Sequence, residues 1–226
     1  MKGRLLLAGL LVAAVLAGCS GKKEAPAPAA AAAPAPTPVQ AQQIQPSDPA
    51  QADGTYNIVQ QESNAQYTVK ETFITQSLNA TATGKTSGIT GTLVFDKGKI
   101  QPAKIAVDVK SLKSDKAKRD ETLQTRGLET NKYPTAEFAI TGVEGTAPAI
   151  TGQETAFKLK GDMTVHGVTK PVVWDAKAMV HGDKVMLNAT ITFKMEQFGI
   201  EPPNVLNMIK VEDEVKLDVN LVAKKG

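Results

Sequence analysis

Few side chains in this sequence are of the kinds that carry reactions. Its two histidines, His166 and His181, would have to join a carboxylate such as Asp183 to hold a metal, and no ligand spacing supports such a site. His166 stands in a His-Gly-Val-Thr run, which suits a tight turn, and a structural hydrogen bond is the simpler role for its ring. No serine sits in a Gly-x-Ser-x-Gly elbow, the frame that presents a nucleophile. Gly84-Lys85-Thr86 lacks the upstream glycine of a phosphate-cradling loop. The single cysteine, Cys19, excludes an internal disulfide framework and any multi-cysteine zinc or iron–sulfur centre. The residues predict no catalytic group, no metal and no resident cofactor, so the expected activity is binding and not enzymatic.

The elements that must position a binding site follow from composition and pattern. The chain has 226 residues, 42% hydrophobic, 22% charged and 4% aromatic, which suits one globular domain with appendages. Its 26 basic and 23 acidic residues give +3. Without Lys2 and Arg4, which lie in a segment expected to be removed, 24 basic residues face 23 acidic ones, a balance of +1. That is no electrostatic footprint for nucleic acid.

Residues 1–18 have a positive start, an apolar stretch over 5–16 and a small-residue end, the layout of an export signal. The stretch is too short to span a bilayer. Leu16-Ala17-Gly18-Cys19 resembles a bacterial lipobox, whose cysteine is acylated and becomes the first residue of the mature protein. Several acyl chains of the palmitate type hold a protein firmly where one does so marginally. The expectation is a membrane partner through a lipid anchor at Cys19, in the cell envelope, facing the periplasm or exterior. Residues 19–52, rich in alanine, proline and glutamine, cannot form a core and read as a disordered stalk.

Over 53–226 apolar and polar residues alternate with period two, the mark of half-buried strands. The inward sets are Tyr67, Val69 and Phe73; Leu93 and Phe95; Val107; Phe138 and Ile140; Leu159 and Met163; Trp174, Ala176 and Ala178; Leu187 and Phe193; and a late run at 215–223. With a short run at Tyr56 and Ile58 this makes about nine strand candidates. One apolar face per strand predicts an antiparallel barrel or sandwich. Residues 114–127 break the pattern, with Ser114 and Asp115 as candidate N-caps and Gly127 as the stop. They predict one helical insertion bordering an opening.

Three segments carry a family resemblance. Arg119-Asp120 with Leu123 and then Asn131-Lys132-Tyr133-Pro134-Thr135-Ala136-Glu137-Phe138, the run Gly161-Asp162-Met163-Thr164-Val165-His166-Gly167-Val168-Thr169-Lys170-Pro171-Val172, and Phe198-Gly199-Ile200 resemble, in order, motifs of the YceI-like polyisoprenoid-binding family. The resemblance implies an all-β, eight-stranded antiparallel lipocalin-like barrel holding a long isoprenoid. The ligand-lining candidates are then Tyr67, Val69, Phe73, Leu93, Phe95, Val107, Phe138, Ile140, Leu159, Met163, Trp174, Ala176, Ala178, Leu187, Phe193 and Phe198. The first hairpin departs from the family: Tyr67-Thr68-Val69-Lys70-Glu71 stands where many members carry a histidine.

An isoprenoid tail has no hydrogen-bonding groups and asks only for an apolar tube, at about 25 cal/mol per Å² removed from water. Small inward residues such as Gly91, Gly161, Ala176 and Ala178 fit either a tunnel or a tapering packed barrel. For the head group of a quinone or prenyl pyrophosphate, Arg119, Lys132 and Tyr133 lie on or after the helical insertion, and Arg and Lys pair well with phosphate. Their alternative roles are a surface ion pair of Arg119 with Asp120 and a strand-entry turn at Tyr133-Pro134. The leading expectation is binding, storage or transport of an isoprenoid lipid; the rival is an envelope scaffold with a filled barrel whose outer faces bind protein. The residues leave open whether two barrels pair as a homodimer.

Overall fold

A computed structural model describes residues 52–146, 152–205 and 208–226. The expected export signal, Cys19 and nearly all of the stalk lie outside the described residues. The chain runs through β1 (Gly54–Ile58), β2 (Asn64–Phe73), β3 (Leu78–Thr86), β4 (Ile89–Asp96), β5 (Lys99–Ile100), β6 (Ala103–Asp108) and β7 (Lys113–Ser114). It then forms the helix α1 (Ala117–Thr122), followed by β8 (Thr135–Gly145), β9 (Thr155–Val165), β10 (Val168–His181), β11 (Lys184–Lys194), β12 (Asn204–Val205) and β13 (Ile209–Lys225).

Every pairing is antiparallel, and the order β1-β4-β6-β8-β9-β10-β11-β13 closes because β13 also pairs with β1. This is a closed eight-stranded barrel with one short helix. Two of its strands are interrupted. β1 and β2 both run along β13, with Tyr56 opposite Lys225 and Phe73 opposite Ile209, and the chain leaves the sheet between them in a 3-10 turn at Gln60–Glu62. Buried Ser63 closes this break: its hydroxyl donates to the Val59 carbonyl at 2.8 Å and accepts the Val222 N–H at 3.0 Å. Likewise β3 and β4 form one broken strand, β3 against β2 and β4 against β1.

Glycine chemistry sets the turns. Lys97 (φ 48°) and Gly98 (φ 73°) join β4 to β5, and His166 (φ 51°) and Gly167 (φ 74°) join β9 to β10. Two consecutive residues of positive φ make the tight hairpin turn whose twist matches that of the flanking strands.

The register fixes the barrel's two ends. At one end lie Ala52, whose carbonyl accepts the Gly98 N–H at 2.8 Å, and the close of β13. At the other lie the β2–β3 turn, α1, the His166-Gly167 turn and the start of β13. The first end is packed solid: Tyr56, Leu93, Phe95, Val180, Val185 and Ala223 are each 2% exposed or less. Tyr56 meets Phe95 edge to face at 5.3 Å between ring centres, a favoured aromatic geometry.

At the second end the wall is open. Beyond β3 the sheet continues only as Lys113–Ser114, paired at Gly84 and Lys85. The helix covers this seam and is shorter than the expected 114–127: α1 occupies Ala117–Thr122 and passes into a π-helical turn at Leu123–Gly127. Ser114 is not the N-cap. It lies in β7, and the buried Asp120 carboxylate reaches back to accept from its N–H at 2.8 Å and its hydroxyl at 2.7 Å.

Candidate functional site

The open half of the barrel encloses a cavity of about 430 Å³, within the roughly 300–1,000 Å³ usual for small-molecule sites. Trp174, Leu159, Leu187 and Leu221 border it towards the packed half, and Phe138, Met163, Val69, Val107, Ala189 and Val215 stand on its sides. These are inward positions of alternating strands, so the period that builds the sheet also makes the wall apolar. Trp174 is 5% exposed, lies edge-on to Phe138 at 5.8 Å, and its indole N–H is buried without a hydrogen-bond partner among the described residues. The floor is dry.

The mouth is polar and differently built. Phe73, Ile209 and Pro203 share it with Lys116, Lys118, Arg119, Thr122 and Glu71. Glu71 points inwards from β2 and is 6% exposed. Arg119 on α1 grips it with two hydrogen bonds, Nε to Oε1 at 3.1 Å and Nη2 to Oε2 at 3.0 Å, and also pairs with Asp115. A two-pronged guanidinium–carboxylate pair is strong and directional. It pins the helix over the seam, and the Glu71 hydrogen bonds hold the Arg119 pKa above its ordinary value. Beside it burial raises the Tyr67 hydroxyl pKa, so that ring stays neutral. Tyr67 lies flat over Gly84 on the neighbouring strand, where a Cβ would come within 2.4 Å of the ring.

Ten of the lining candidates stand on the cavity wall: Tyr67, Val69, Phe73, Val107, Phe138, Leu159, Met163, Trp174, Leu187 and Phe193. Leu93, Phe95, Ile140, Ala176 and Ala178 do not; they belong to the packed part of the core. Alternation marks inward positions but not depth along the barrel, and Ala176 stands opposite Phe157 in the packed part of the core. Phe198 also lies off the wall, buried under the mouth-end turn edge to face with Phe193 at 4.9 Å.

Of the head-group candidates, Arg119 reaches the mouth already engaged by two carboxylates, in place of the expected surface pairing with Asp120. Lys132 and Tyr133 stand elsewhere. The Tyr133 ring covers Gly167, where a Cβ would come within 2.5 Å of it, and stands edge-on to His166 at 4.9 Å. His166 Nε2 lies 2.7 Å from Glu129 Oε2, and the Lys132 ammonium sits 4.8 Å from the centre of the Tyr133 ring. Gly199, left-handed at φ 70°, packs beside His166 and Val168. Lys132, Tyr133, His166 and Gly199, drawn from the three motifs, therefore join Glu129 in a clasp that ties the mouth-end loops together. Pattern reading missed Lys116 and Lys118 at the lip, and Ile200, Ile209 and Val211 on the wall. Among the described residues no three His, Cys, Asp or Glu side chains gather as a metal site.

Solved structures share this architecture. A polyisoprenoid-binding domain of Saccharophagus degradans aligns with a TM-score of 0.61 at 14% identity, over 76% of this chain and 98% of that one. BcnA of Burkholderia cenocepacia aligns at 0.60 with 16% identity, over 74% of this chain and 99% of that one. At such identities the likeness concerns the fold. A UPF0312 protein of Pseudomonas putida strain GB-1 is 38% identical over 122 residues, 50% of this chain, and the chain spans about 60% of that relative's length. The model of the YceI-like domain matches residues 56–223, from within the first barrel strand to within the last, and the chain belongs to that family.

Proposed function

We propose that this chain binds the tail of an isoprenoid lipid, a polyprenyl carrier or a quinone, in the open half of its barrel, and stores or carries it at the bacterial cell envelope while an acylated Cys19 holds the protein to a membrane. The observation that carries the binding reading is the division of the interior: one half filled by fully buried side chains, the other an apolar chamber of about 430 Å³ under a polar mouth. A barrel serving only as a scaffold gains nothing from the second half, because empty apolar volume forfeits packing energy. The Saccharophagus degradans domain of the same fold is a polyisoprenoid-binding one, which supports the choice of ligand class.

A chamber of this size takes a short length of tail, and a longer chain leaves through the mouth. Its floor offers no charge, so affinity rests on area removed from water, at about 25 cal/mol per Å². The head group stays at the mouth, where Arg119 is already spoken for. Replacing Ala189, on the wall between Leu187 and Phe193 of β11, by Trp fills the chamber. Mass spectrometry of lipid extracted from the purified protein should find an isoprenoid in near-stoichiometric amount in the natural protein. In Ala189→Trp it should fall at least tenfold, with an unchanged circular-dichroism spectrum. Undiminished lipid in a folded Ala189→Trp protein, or a natural protein that is empty and also refuses added quinone, overturns the reading.

A further inference from the structure

The mouth carries apolar side chains that the cavity does not use. Among the described residues the exposed large hydrophobic ones are Ile74 (48%), Leu78 (54%), Met208 (51%) and Val173 (48%). The first three sit together. Leu78 pairs with Phe73 across the β2–β3 hairpin, Phe73 pairs with Ile209, and the Ile74 N–H donates to the Met208 carbonyl at 2.9 Å. Phe73 and Ile209 also line the cavity mouth, so the apolar surface is continuous from chamber to rim. Val173 lies away from them, halfway along the outer wall on β10.

Three lysines flank this apolar patch. Lys116 holds its ammonium 6.0 Å from the Phe73 ring centre, Lys118 lines the same lip, and Lys210 is exposed on β13 opposite Thr72. None of the three has a carboxylate partner among the described residues, whereas most lysines on the barrel wall, such as Lys104, Lys158, Lys160 and Lys177, are paired. The acidic side chains of this end stand around them: Glu201 on the segment between the last 3-10 turn and β12, Glu121 on α1, and Glu212, Asp213 and Glu214 further along β13, where Glu212 pairs with Lys70 and Asp213 accepts the Glu196 N–H. Exposed aliphatic side chains flanked by unpaired lysines are the composition of a surface that lies in a lipid interface: the apolar groups enter the acyl boundary and the lysines reach the phosphates. A protein partner offers no reason for this patch to run unbroken into an apolar chamber.

We propose that this rim docks on anionic bilayers, Ile74, Leu78 and Met208 entering the acyl region and Lys116, Lys118 and Lys210 facing lipid phosphates, with the chamber opening onto the membrane. The proposal goes beyond cargo binding and does not depend on which tail the chamber holds.

Two reporters in the full chain test it. Leu78→Trp places an indole on the rim, and Val173→Trp places one on the outer wall at similar exposure, both over the same buried Trp174. With vesicles of phosphatidylcholine and phosphatidylglycerol carrying brominated acyl chains, Leu78→Trp should shift to the blue and be quenched, while Val173→Trp should not. Adding Lys116→Glu and Lys118→Glu should weaken partition at least tenfold, since each lysine near an anionic surface is worth about fivefold, and pure phosphatidylcholine should bind more weakly. Equal quenching at both sites, or at neither, overturns the proposal; the first result would mean that the N-terminus alone holds the protein to the vesicle. A lipid-free dimer that Leu78→Ser dissolves would give the rim to a second copy and overturn it as well. Neither reporter lines the chamber, so protein that yields isoprenoid on extraction but shows no rim quenching loses this proposal alone.

Discussion

Lys132 and Tyr133 have the chemistry of a head-group site and stand instead in a clasp with His166, whose ring makes the structural hydrogen bond that its turn suggests. An imidazole, a phenol and a lysine within one neighbourhood have the makings of a head-group site, yet each is engaged with another rim residue, and the ring of Tyr133 lies where Gly167 leaves room for it. Gly167 is doubly constrained, by its positive φ of 74° and by the ring 2.5 Å from any added Cβ. Gly167→Ala should therefore cost about 1–3 kcal/mol, read as a lowered urea midpoint with an unchanged slope. If the clasp acts on the rim and not on the chamber, the folded variant keeps its extractable lipid. An unaltered midpoint would mean that the turn relaxes freely and that the tyrosine holds nothing.

Among the elements, those with strong contrast between faces were legible in the sequence. The runs at 157–165, 172–178 and 185–193 alternate apolar with polar and became β9, β10 and β11. β3 was not legible: its inward positions Ala80, Ala82, Gly84 and Thr86 are small and its outward ones are mostly threonine and lysine, so the two faces barely differ in hydropathy although Ala82 is 1% exposed. Gly84 is small because Tyr67 covers it, a cross-strand relation that no local pattern reveals. The depth of the cavity was illegible for the same reason, since it depends on which large residue faces which small one across the barrel.

The break between β1 and β2 is another such feature, and it carries a pH signature. Glu62, in the turn that fills the break, bonds to Lys184 at 2.6 Å and Lys224 at 3.0 Å. These hydrogen bonds pull its pKa below the ordinary glutamate value. A carboxylate with a lowered folded-state pKa adds stability above its unfolded pKa and loses it as the pH falls through the folded one. Natural protein should thus melt slightly higher than Glu62→Gln at pH 7, with the two curves converging as acid protonates Glu62. A gap that persists unchanged in acid would assign the difference to something other than this charge.

For the whole molecule, the sequence predicts an anchor and the barrel supplies a load-bearing body. Cys19→Ala should abolish incorporation of labelled palmitate and free the protein from sedimenting membranes. Label retained in that variant would move the acylation elsewhere. The chain enters the barrel at Ala52, at the end opposite the mouth. With the proposed anchor, a short leash would leave the chamber pointing away from the membrane. Fully drawn out, the roughly 33 residues between Cys19 and Ala52 reach about 100 Å, while the 17 residues of β13 measure only about 56 Å. A stalk of that reach would let an anchored body turn its mouth to the membrane, and trimming it by half or more should strand the opening in the aqueous layer, holding a cargo it can no longer hand over.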